Sequence, residues 1–339
     1  MDTQILIMYI FNIPVGHVIY YHLFQDSIIL GEVYQQYLTM KGPYPVGIAD
    51  YGIIPCGNTL CFYTYNTTEV LGWIYIEYAH PRSYTVQLNA DVYDNGTYLW
   101  VQDVLYVVGD NIFFEDNIWN VTYSWINNFH MYTPIENNSL SGNGEVYDGY
   151  AYIYSTDTMH YSYPLQVFLI MKVEGSNILF GYALDNNTII WYDNVTVSNA
   201  SNLTFIVGPQ YNVNNGFAGF ELVVGGPGNG KEVIFDNISG YLGLFYLYND
   251  QWIPVSSKTN FAFDTMETAY PIHSVLVNYG IVELVYGYEQ PSFNMTANFT
   301  YIEPYVQVQQ PWWIQILNSI INFFYMLGYY IVHFFNNLI

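Results

Sequence analysis

A carboxamide and a carboxyl group stand side by side in an otherwise apolar segment of the chain. The segment YLWVQDVLYVV, residues 98–108, is rich in β-branched and aromatic residues and predicts a β-strand. Because side chains alternate between the two faces of a strand, Asp103 shares a face with aliphatic residues and Gln102 lies on the opposite face. Burial of an unpartnered carboxyl group is costly, so Asp103 either has a function or is held by buried hydrogen bonds.

Two further acidic residues occupy comparable positions in predicted strands. Asp193 alternates with Asn194, which begins an N-glycosylation motif and must face solvent, so Asp193 is expected to face the interior. Glu221 lies on a predicted strand that runs into the sequence GGPGNG, residues 225–230. A loop of this composition could approach a substrate closely or move as a flap. The candidate catalytic residues are therefore Asp103, Gln102, Asp193 and Glu221.

The remaining acidic residues in similar segments have simpler interpretations. Asp116 falls on the same side of its strand as the Asn120 glycosylation motif, and the triplet EDN is typical of a turn. Asp264 and Glu267 are three residues apart and would share a helix face, where helix capping explains them. Asp50, in the sequence GIADYG, is interpreted as a turn residue.

The charge composition narrows the chemistry that these groups could perform. The 339 residues include 28 Asp+Glu but only 5 Lys+Arg, and charged residues make up 10% of the chain. Few basic groups disfavour a nucleic-acid partner. They also limit the positive charge that the chain can carry in acid, where self-repulsion opens proteins. General acidity for solubility is the alternative interpretation, but we favour a protein that works at low pH.

Few catalytic mechanisms are available in acid. Histidine is protonated there and cannot act as a base, so the base must be a carboxylate. Two carboxyl groups in one site can divide the roles, because both cannot ionise at close range and one keeps its proton. Alternatively, a Glu acts as the base and a Gln donates a hydrogen bond to the developing oxyanion. Asp103 fits the first arrangement and Gln102 with Glu221 fits the second; a regular strand cannot present both Asp103 and Gln102 to one substrate.

The histidines and cysteines do not suggest a cofactor. The 7 His residues show no metal-ligand spacing relative to cysteines or carboxylates. Cys56 and Cys61 form a C-x4-C pair without a nearby His, which is a poor metal site. They could close a small disulfide loop outside the cell or remain two thiols. No metal and no other cofactor are expected.

N-glycosylation motifs are more frequent than chance predicts. The chain contains eleven N-x-S/T triplets, against roughly 3 to 4 expected from its Asn, Ser and Thr content. This excess predicts an exported glycoprotein. The motifs begin at Asn66, Asn95, Asn120, Asn137, Asn186, Asn194, Asn199, Asn202, Asn237, Asn294 and Asn298.

The central part of the chain predicts an all-β fold. Short strands separated by turn signals run through residues 41–309, which indicates a β-sandwich or two packed β-sandwiches, with a subdivision expected near residues 207–216. The apolar residues 1–40 are interpreted either as a signal or anchor segment or as a first strand.

The C-terminal segment, residues 310–339, predicts a hydrophobic helix. Its last 29 residues contain no Lys, Arg, Asp or Glu. The length and apolarity suit a membrane anchor, whereas the spacing of the polar residues indicates one polar stripe for self-association or docking. We favour the anchor. The stripe consists of Gln315, Ser319, Asn322, Tyr329, His333 and Asn336.

Seven short segments resemble the thermopsin family, and they occur in the same order. They are PVGIADYGI (45–53), WVQDV (100–104), FFEDNIWN (113–120), SGNGEV (141–146), WYDNVTV (191–197), FELVVGGPGNG (220–230) and FDTMETAY (263–270). The family comprises exported acid proteases of thermoacidophilic archaea. The resemblance implies an extracellular, glycosylated, β-rich aspartic-type endopeptidase that acts on polypeptides in hot acid. It does not assign the catalytic residues, because the chain lacks the D-T/S-G signature of pepsin-like enzymes.

Two functional hypotheses follow from these observations. The first is a thermopsin-like acid endopeptidase, displayed outside an archaeal cell, in which a carboxyl group activates water. The alternative is a catalytically inactive surface or virion glycoprotein that keeps the fold for a structural or binding role. The chain departs from a typical secreted member of the family at both ends, in residues 1–40 and 310–339, which favours surface display over free secretion.

Overall fold

The computed structural model describes residues 45–50, 53–56, 59–62, 65–94, 96–122, 133–136, 138–184, 188–209, 217–218, 220–228, 230–255, 265, 267–278 and 280–289. In this part of the chain the regular elements are β-strands. In chain order they are β1 (Val46–Asp50), β2 (Ile53–Cys56), β3 (Thr59–Phe62), β4 (Tyr65–Thr67), β5 (Glu69–His80), β6 (Ser83–Asp94), β7 (Thr97–Val108), β8 (Asn111–Asn120), β9 (Leu140–Ser141), β10 (Glu145–Tyr147), β11 (Ala151–Ser155), β12 (Met159–His160), β13 (Leu165–Glu174), β14 (Asn177–Leu184), β15 (Ile190–Val197), β16 (Thr204–Pro209), β17 (Phe217–Ala218), β18 (Phe220–Gly225), β19 (Glu232–Ile234), β20 (Asn237–Tyr248), β21 (Gln251–Pro254), β22 (Thr268–Tyr270), β23 (Ile272–Asn278) and β24 (Ile281–Tyr286).

Two large antiparallel sheets contain most of these strands. The first sheet follows the order β1-β18-β6-β7-β8-β11-β10, with β12 beside β8 and with β16 linking β4, β6 and β17. The second follows the order β23-β24-β20-β5-β13-β14-β15-β9, with β21 beside β20. Two small ribbons complete the described part: the antiparallel pair β2-β3 and the parallel pair β19-β22.

The alternation of residue types along β6 explains how the sheets pack. Tyr84, Val86, Leu88, Ala90 and Val92 are almost completely buried and face the second sheet. Burial of such side chains contributes roughly 1.5–3 kcal/mol each, which is the main force that holds two sheets face to face. The intervening positions of β6 carry polar residues on the outer face of the first sheet, and these residues are buried as well.

The two sheets approach each other closely in the core. A Cβ atom added to Gly72 on β5 would lie 2.7 Å from Leu222 Cδ1 on β18, so a larger residue at position 72 would push the sheets apart. The rings of Phe114 on β8 and Tyr182 on β14 stack with a centroid distance of 3.7 Å and an interplanar angle of 8°. These contacts fix which residues of the two sheets face each other.

The described residues confirm the all-β prediction. The predicted helix at 310–339, the apolar segment 1–40 and most of the predicted boundary at 207–216 lie outside them. Among the described residues, no helix has the length and apolarity needed to span a membrane. The predictions of an anchor and of a domain boundary therefore remain predictions.

Replacement of Leu222 by Ala is expected to lower the free energy of unfolding by about 2 to 5 kcal/mol, because it leaves a cavity between the sheets. Leu222 is fully buried, whereas Val275 on β23 is 40% exposed. The matched truncation Val275→Ala should therefore change stability by no more than about 0.5 kcal/mol. Denaturant unfolding of both variants measures the difference, and equal effects would contradict this packing.

Candidate active site

A row of polar side chains crosses the outer face of the first sheet. Glu221, Asn89, Gln102 and Asn117 are paired directly across four neighbouring strands, β18, β6, β7 and β8. Residues paired in this way project from the same face of a sheet. Their exposed fractions lie between 0% and 6%, so this row of hydrogen-bonding groups is shielded from solvent.

Three carboxamides connect two carboxylates along this face. Gln102 donates both of its N–H hydrogens, to Asn89 Oδ1 at 2.7 Å and to Gln87 Oε1 at 3.1 Å. Asn89 Nδ2 in turn donates to Glu221 Oε1 at 2.8 Å. On the other side, Gln87 Nε2 donates to Glu267 Oε2 at 3.0 Å. We refer to Asn89, Gln102 and Gln87 as the amide relay.

The carboxylates determine the orientation of every amide in the relay. An ionised carboxylate can only accept hydrogen bonds, so Asn89 and Gln87 must direct their nitrogen atoms toward Glu221 and Glu267. Their oxygen atoms then face Gln102, which must present its nitrogen to both. The two ends of the relay therefore require the same orientation of the central residue, and a flipped Gln102 would break both bonds.

The glycine-rich loop after β18 closes one end of the relay. Glu267 Oε1 accepts a hydrogen bond from the Gly230 N–H at 3.0 Å, and the Thr85 hydroxyl lies 2.8 Å from the Gly226 carbonyl oxygen. Gly228 has a φ of +85° and lies against the Tyr106 ring, in a space too small for a Cβ atom. The glycines therefore let the backbone of this loop, residues 225–228 and 230, lie directly on the sheet face.

Aromatic pairs flank the relay on both sides. Trp100 and Trp119 are paired across β7 and β8, with ring centroids 4.6 Å apart. Farther along the same strands, Tyr106 and Phe113 stack at 4.5 Å with an angle of 8°, and the Tyr106 hydroxyl donates to Glu115 at 2.9 Å. The face therefore combines apolar surface with a few oriented polar groups, as ligand sites commonly do.

A second group of acidic residues lies between the two sheets. Asp103 and Asp116 are paired directly across β7 and β8 on the inner face of the first sheet, and both are 0% exposed. Asp193 on β15 of the second sheet is 2% exposed and lies within interaction distance of Asp116. We refer to these three residues as the interior carboxyl cluster.

Hydrogen bonds divide the interior carboxyl cluster unequally. Asp193 accepts three bonds, from the Tyr152 hydroxyl at 2.7 Å and from the main-chain N–H groups of Asn143 and Asn194 at 2.9 and 2.7 Å. Asp103 accepts a bond from the Tyr192 hydroxyl at 2.9 Å and interacts with the main-chain N–H of Ile170. A Cβ atom at Gly142 would lie 2.9 Å from Asp193 Oδ1, so the exposed turn at 141–144 covers Asp193 closely only because that position is glycine.

Asp116 is the residue of the cluster that keeps a proton. Within the described structure neither of its oxygens receives a hydrogen bond from an N–H or O–H group. Burial, together with the charges of Asp193 and Asp103, raises the pKa of Asp116 to about 10. Its contact with Asp193 becomes a hydrogen bond when one of the two carboxyl groups is protonated. Burial also raises the pKa of Asp103 well above its usual value, although the Tyr192 hydrogen bond lowers it.

The structure divides the predicted catalytic residues between two sites. Gln102 and Glu221 belong to the outer row, joined through Asn89, whereas Asp103 and Asp193 belong to the interior cluster. Around residues 102 and 103, β7 pairs with both neighbours without a bulge, so the two side chains do face opposite sides as predicted.

Three interpretations of acidic residues were wrong. Asp116 is not in a turn but lies in the middle of β8 and is fully buried. Asn120 is on the same side of β8, but it is the last residue of the strand, so its partial exposure does not extend to Asp116. Glu267 does not cap a helix but directly precedes β22, and Asp264 lies outside the described residues. Asp50 is not in a turn but is the last residue of β1 and is fully buried.

Sequence reasoning also missed Asn89 and Gln87. Thr85, Gln87, Asn89 and Asp91 occupy every second position of β6, between buried apolar residues. This strict alternation is the signal that could have identified a polar stripe. The alternation of Asp116 with Phe114 and Ile118 could likewise have placed Asp116 in the core.

The predicted glycosylation sites lie partly within the described residues, and the side chains of the predicted disulfide lie outside them. Asn194, Asn199, Asn202 and Asn237 are exposed, Asn66 and Asn120 are half-buried, and Asn95, Asn137, Asn186, Asn294 and Asn298 lie outside the described residues. The side chains of Cys56 and Cys61 also lie outside them, so the disulfide stays a prediction.

The interior carboxyl cluster is expected to stabilise the fold in acid and destabilise it toward neutral pH. The pKa of Asp116 is about 10 in the folded chain and about 3.9 in an unfolded one. As the pH rises, the unfolded chain loses this proton at a lower pH than the folded chain does. The contribution of Asp116 to the free energy of unfolding is therefore complete below about pH 4 and is lost as the pH rises toward 10. Asp116→Asn, which stays neutral, should flatten the fall in unfolding free energy between pH 4 and 8, as measured by denaturant titration.

Asp94→Asn is a control, because the pKa of Asp94 is lowered by folding whereas that of Asp116 is raised. The main-chain N–H of Ser201 donates to Asp94 at 2.6 Å and lowers its pKa. Its contribution is therefore present above about pH 4 and is lost as the pH falls. The Asp94→Asn variant should lose stability at pH 6 but little at pH 2. An Asp116→Asn profile parallel to that of the unchanged chain would contradict the retained proton.

Comparisons with known proteins identify the family of this chain. The Thermopsin family model matches residues 31–272. Thermopsin from Sulfolobus acidocaldarius is 29% identical over 295 residues, which cover 77% of this chain and 84% of the relative. The matched region contains both the outer row and the interior cluster. The chain belongs to the thermopsin family, which is a family of peptidases.

Proposed function

We propose that this chain is an acid endopeptidase of the glutamic type, with Glu221 as the base and the amide relay as the hydrogen-bonding part of its site. The observation that carries the proposal is the continuous hydrogen-bonded connection from Glu221 through Asn89 to Gln102 on one sheet face. Membership of a peptidase family supports a polypeptide substrate. The chemistry requires only the chain's own carboxylate and amide groups.

Glu221 is suited to activate water. Asn89 donates a hydrogen bond to Oε1 of the Glu221 carboxylate, and this bond fixes the orientation of the Glu221 side chain. In the proposed step, the carboxylate accepts a proton from water while the water oxygen attacks the scissile carbonyl carbon. When the C–N bond breaks, the same proton passes from Glu221 to the leaving nitrogen, so the carboxylate is regenerated.

Asn89 is the proposed donor to the oxyanion. One N–H hydrogen of Asn89 bonds to Glu221, and the other has no acceptor within the described part of the chain. That hydrogen lies beside the base, where the oxygen of a tetrahedral intermediate would develop. Gln102 donates to Asn89 Oδ1, which polarises the Asn89 amide and strengthens its remaining donor. This refines the role predicted for Gln102, because both of its own hydrogens are already used in the relay.

The glycine-rich loop is the proposed flap over this site. Glu221 and Asn89 are fully buried, so a substrate reaches them only when covering segments move. The loop lies at the same sheet face and is tied to it by bonds to Thr85 and Glu267. Closure of such a loop excludes water and strengthens the electrostatic interactions in the site.

Glu221→Gln should lower kcat by about 10²- to 10⁴-fold, because it removes the general base while preserving side-chain shape. Gln102→Leu should lower kcat by up to about 10²-fold, because Asn89 loses its polarising donor. The matched control is Glu77→Gln, since Glu77 is exposed on β5 of the second sheet and bonds to Ser239 instead of the relay. Digestion of an unfolded protein is measured from pH 1 to 7 at elevated temperature, and activity should be confined to acid.

The interior cluster supports a second candidate, an aspartic-type site. The retained proton on Asp116 beside the triply hydrogen-bonded Asp193 resembles the unequal carboxyl pair that such catalysis needs. An active Glu221→Gln variant together with an inactive, folded Asp116→Asn variant would establish this second site and reject the first.

We also propose that the protein is displayed outside the cell, attached through residues 310–339. The four exposed glycosylation motifs in the described part support an extracellular position. If the folded chain shows no proteolysis at any pH, the alternative of a structural or binding glycoprotein would replace the enzymatic proposal.

A further inference from the structure

We propose that Glu267 is a positioning residue that couples closure of the glycine-rich loop to the alignment of the amide relay. The proposal rests on the proposed function of the relay. Glu267 bonds to the loop and to the relay simultaneously and is 6% exposed. It is therefore placed to make the catalytic geometry depend on the position of the flap.

The two oxygens of Glu267 serve different parts of the site. Oε1 accepts the Gly230 N–H at 3.0 Å, on the loop side. Oε2 accepts from Gln87 Nε2 at 3.0 Å and lies 3.1 Å from the Thr85 hydroxyl, on the sheet side. A carboxylate can accept on both sides, whereas an amide must present a donor on one of them. The site therefore requires a carboxylate at this position.

Backbone features hold Glu267 at the junction of loop and sheet. The loop leads from β18 into β19, and Glu267 directly precedes β22, which pairs with β19 in parallel. A Cβ atom at Gly225 would lie 2.9 Å from Glu267 Cβ and 3.3 Å from Gln87 Nε2. Glycine at the start of the loop thus leaves the space in which Glu267 reaches the relay.

Gln87 transmits the effect of Glu267 to the catalytic amides. Its nitrogen faces Glu267 and its oxygen accepts from Gln102. Without an acceptor at position 267, rotation of the Gln87 amide would present a donor to Gln102 and disturb the bond from Gln102 to Asn89. Movement of the loop away from the sheet would loosen the same bonds, so an open flap would leave the relay misaligned.

A double-mutant cycle tests this coupling in the full chain. Glu267→Gln and Gln87→Leu are each expected to lower kcat/KM about ten- to hundredfold, which corresponds to loss of one charge-assisted hydrogen bond. Because they interrupt one connection, the double variant should be no worse than the more damaged single variant. KM should rise more in Glu267→Gln, since only this variant also loses a bond to the loop.

Glu77→Gln, on the exposed part of β5 in the second sheet, is the matched control, and its kcat and KM should be unchanged. Thr85→Val is the second variant if Glu267→Gln does not fold, and it should raise KM because it removes a hydroxyl beside both Gly226 and Glu267. Kinetic constants are referred to folded protein, measured by thermal unfolding in parallel. Additive losses in the double variant, or lower stability with unchanged kcat and KM, would overturn the positioning role.

The Glu221→Gln variant distinguishes rejection of the positioning role of Glu267 from rejection of the proposed function. If Glu221→Gln is inactive while Glu267→Gln behaves normally, only the positioning role is rejected. If Glu221→Gln remains active, the proposed site itself is rejected, and the role of Glu267 is rejected with it.

Discussion

The central strands of the first sheet, β6 and β7, are buried on both faces, and the rest of the site depends on this constraint. A sheet covered on one side can direct its polar residues toward water, but β6 and β7 have no such face. Each polar side chain on the outer face must therefore find a protein partner, since an unsatisfied buried group costs about 1–3 kcal/mol. The amide relay is a direct solution, because each of its three carboxamides bonds to a neighbour along the row.

The relay also explains why carboxylates occur at both ends. A row of amides alone can reverse its direction by flipping every member, and the two directions would have similar energies. Glu221 and Glu267 remove this ambiguity because each accepts from the nearest amide. The central Gln102 must then donate in both directions. The result is a rigid set of oriented dipoles in a site shielded from water, where electrostatic interactions are strong.

Local patterns predicted the strands and the faces of individual residues, but not the pairing between distant strands. Alternation placed Asp103 and Asp193 inward, and the structure agrees. Asn89 escaped notice because its importance comes from Glu221, 132 residues away in the chain, and strand order cannot be read from local periodicity. Glu267 was assigned to a helix because spacing alone cannot reveal a parallel pairing such as β19 with β22.

Several of the seven segments that resemble the thermopsin family contribute to the two polar networks when the strands pair. SGNGEV, FFEDNIWN and WYDNVTV surround the interior carboxyl cluster, whereas FELVVGGPGNG and FDTMETAY contribute the two ends of the relay. WVQDV belongs to both sites, because Gln102 and Asp103 face opposite sides of β7. In this chain the segments therefore build two buried polar networks that share strand β7.

The two networks on β7 accommodate buried carboxyl groups in different ways. The interior cluster requires a proton, because Asp116 and Asp193 repel each other when both are ionised. The outer relay instead satisfies Glu221 and Glu267 with N–H donors from Asn89 and Gln87. Rising pH therefore acts on the inner face of the first sheet, where Asp116 loses its proton. Since Gln102 and Asp103 are neighbours on one strand, the position of Gln102 in the relay depends on an intact interior cluster.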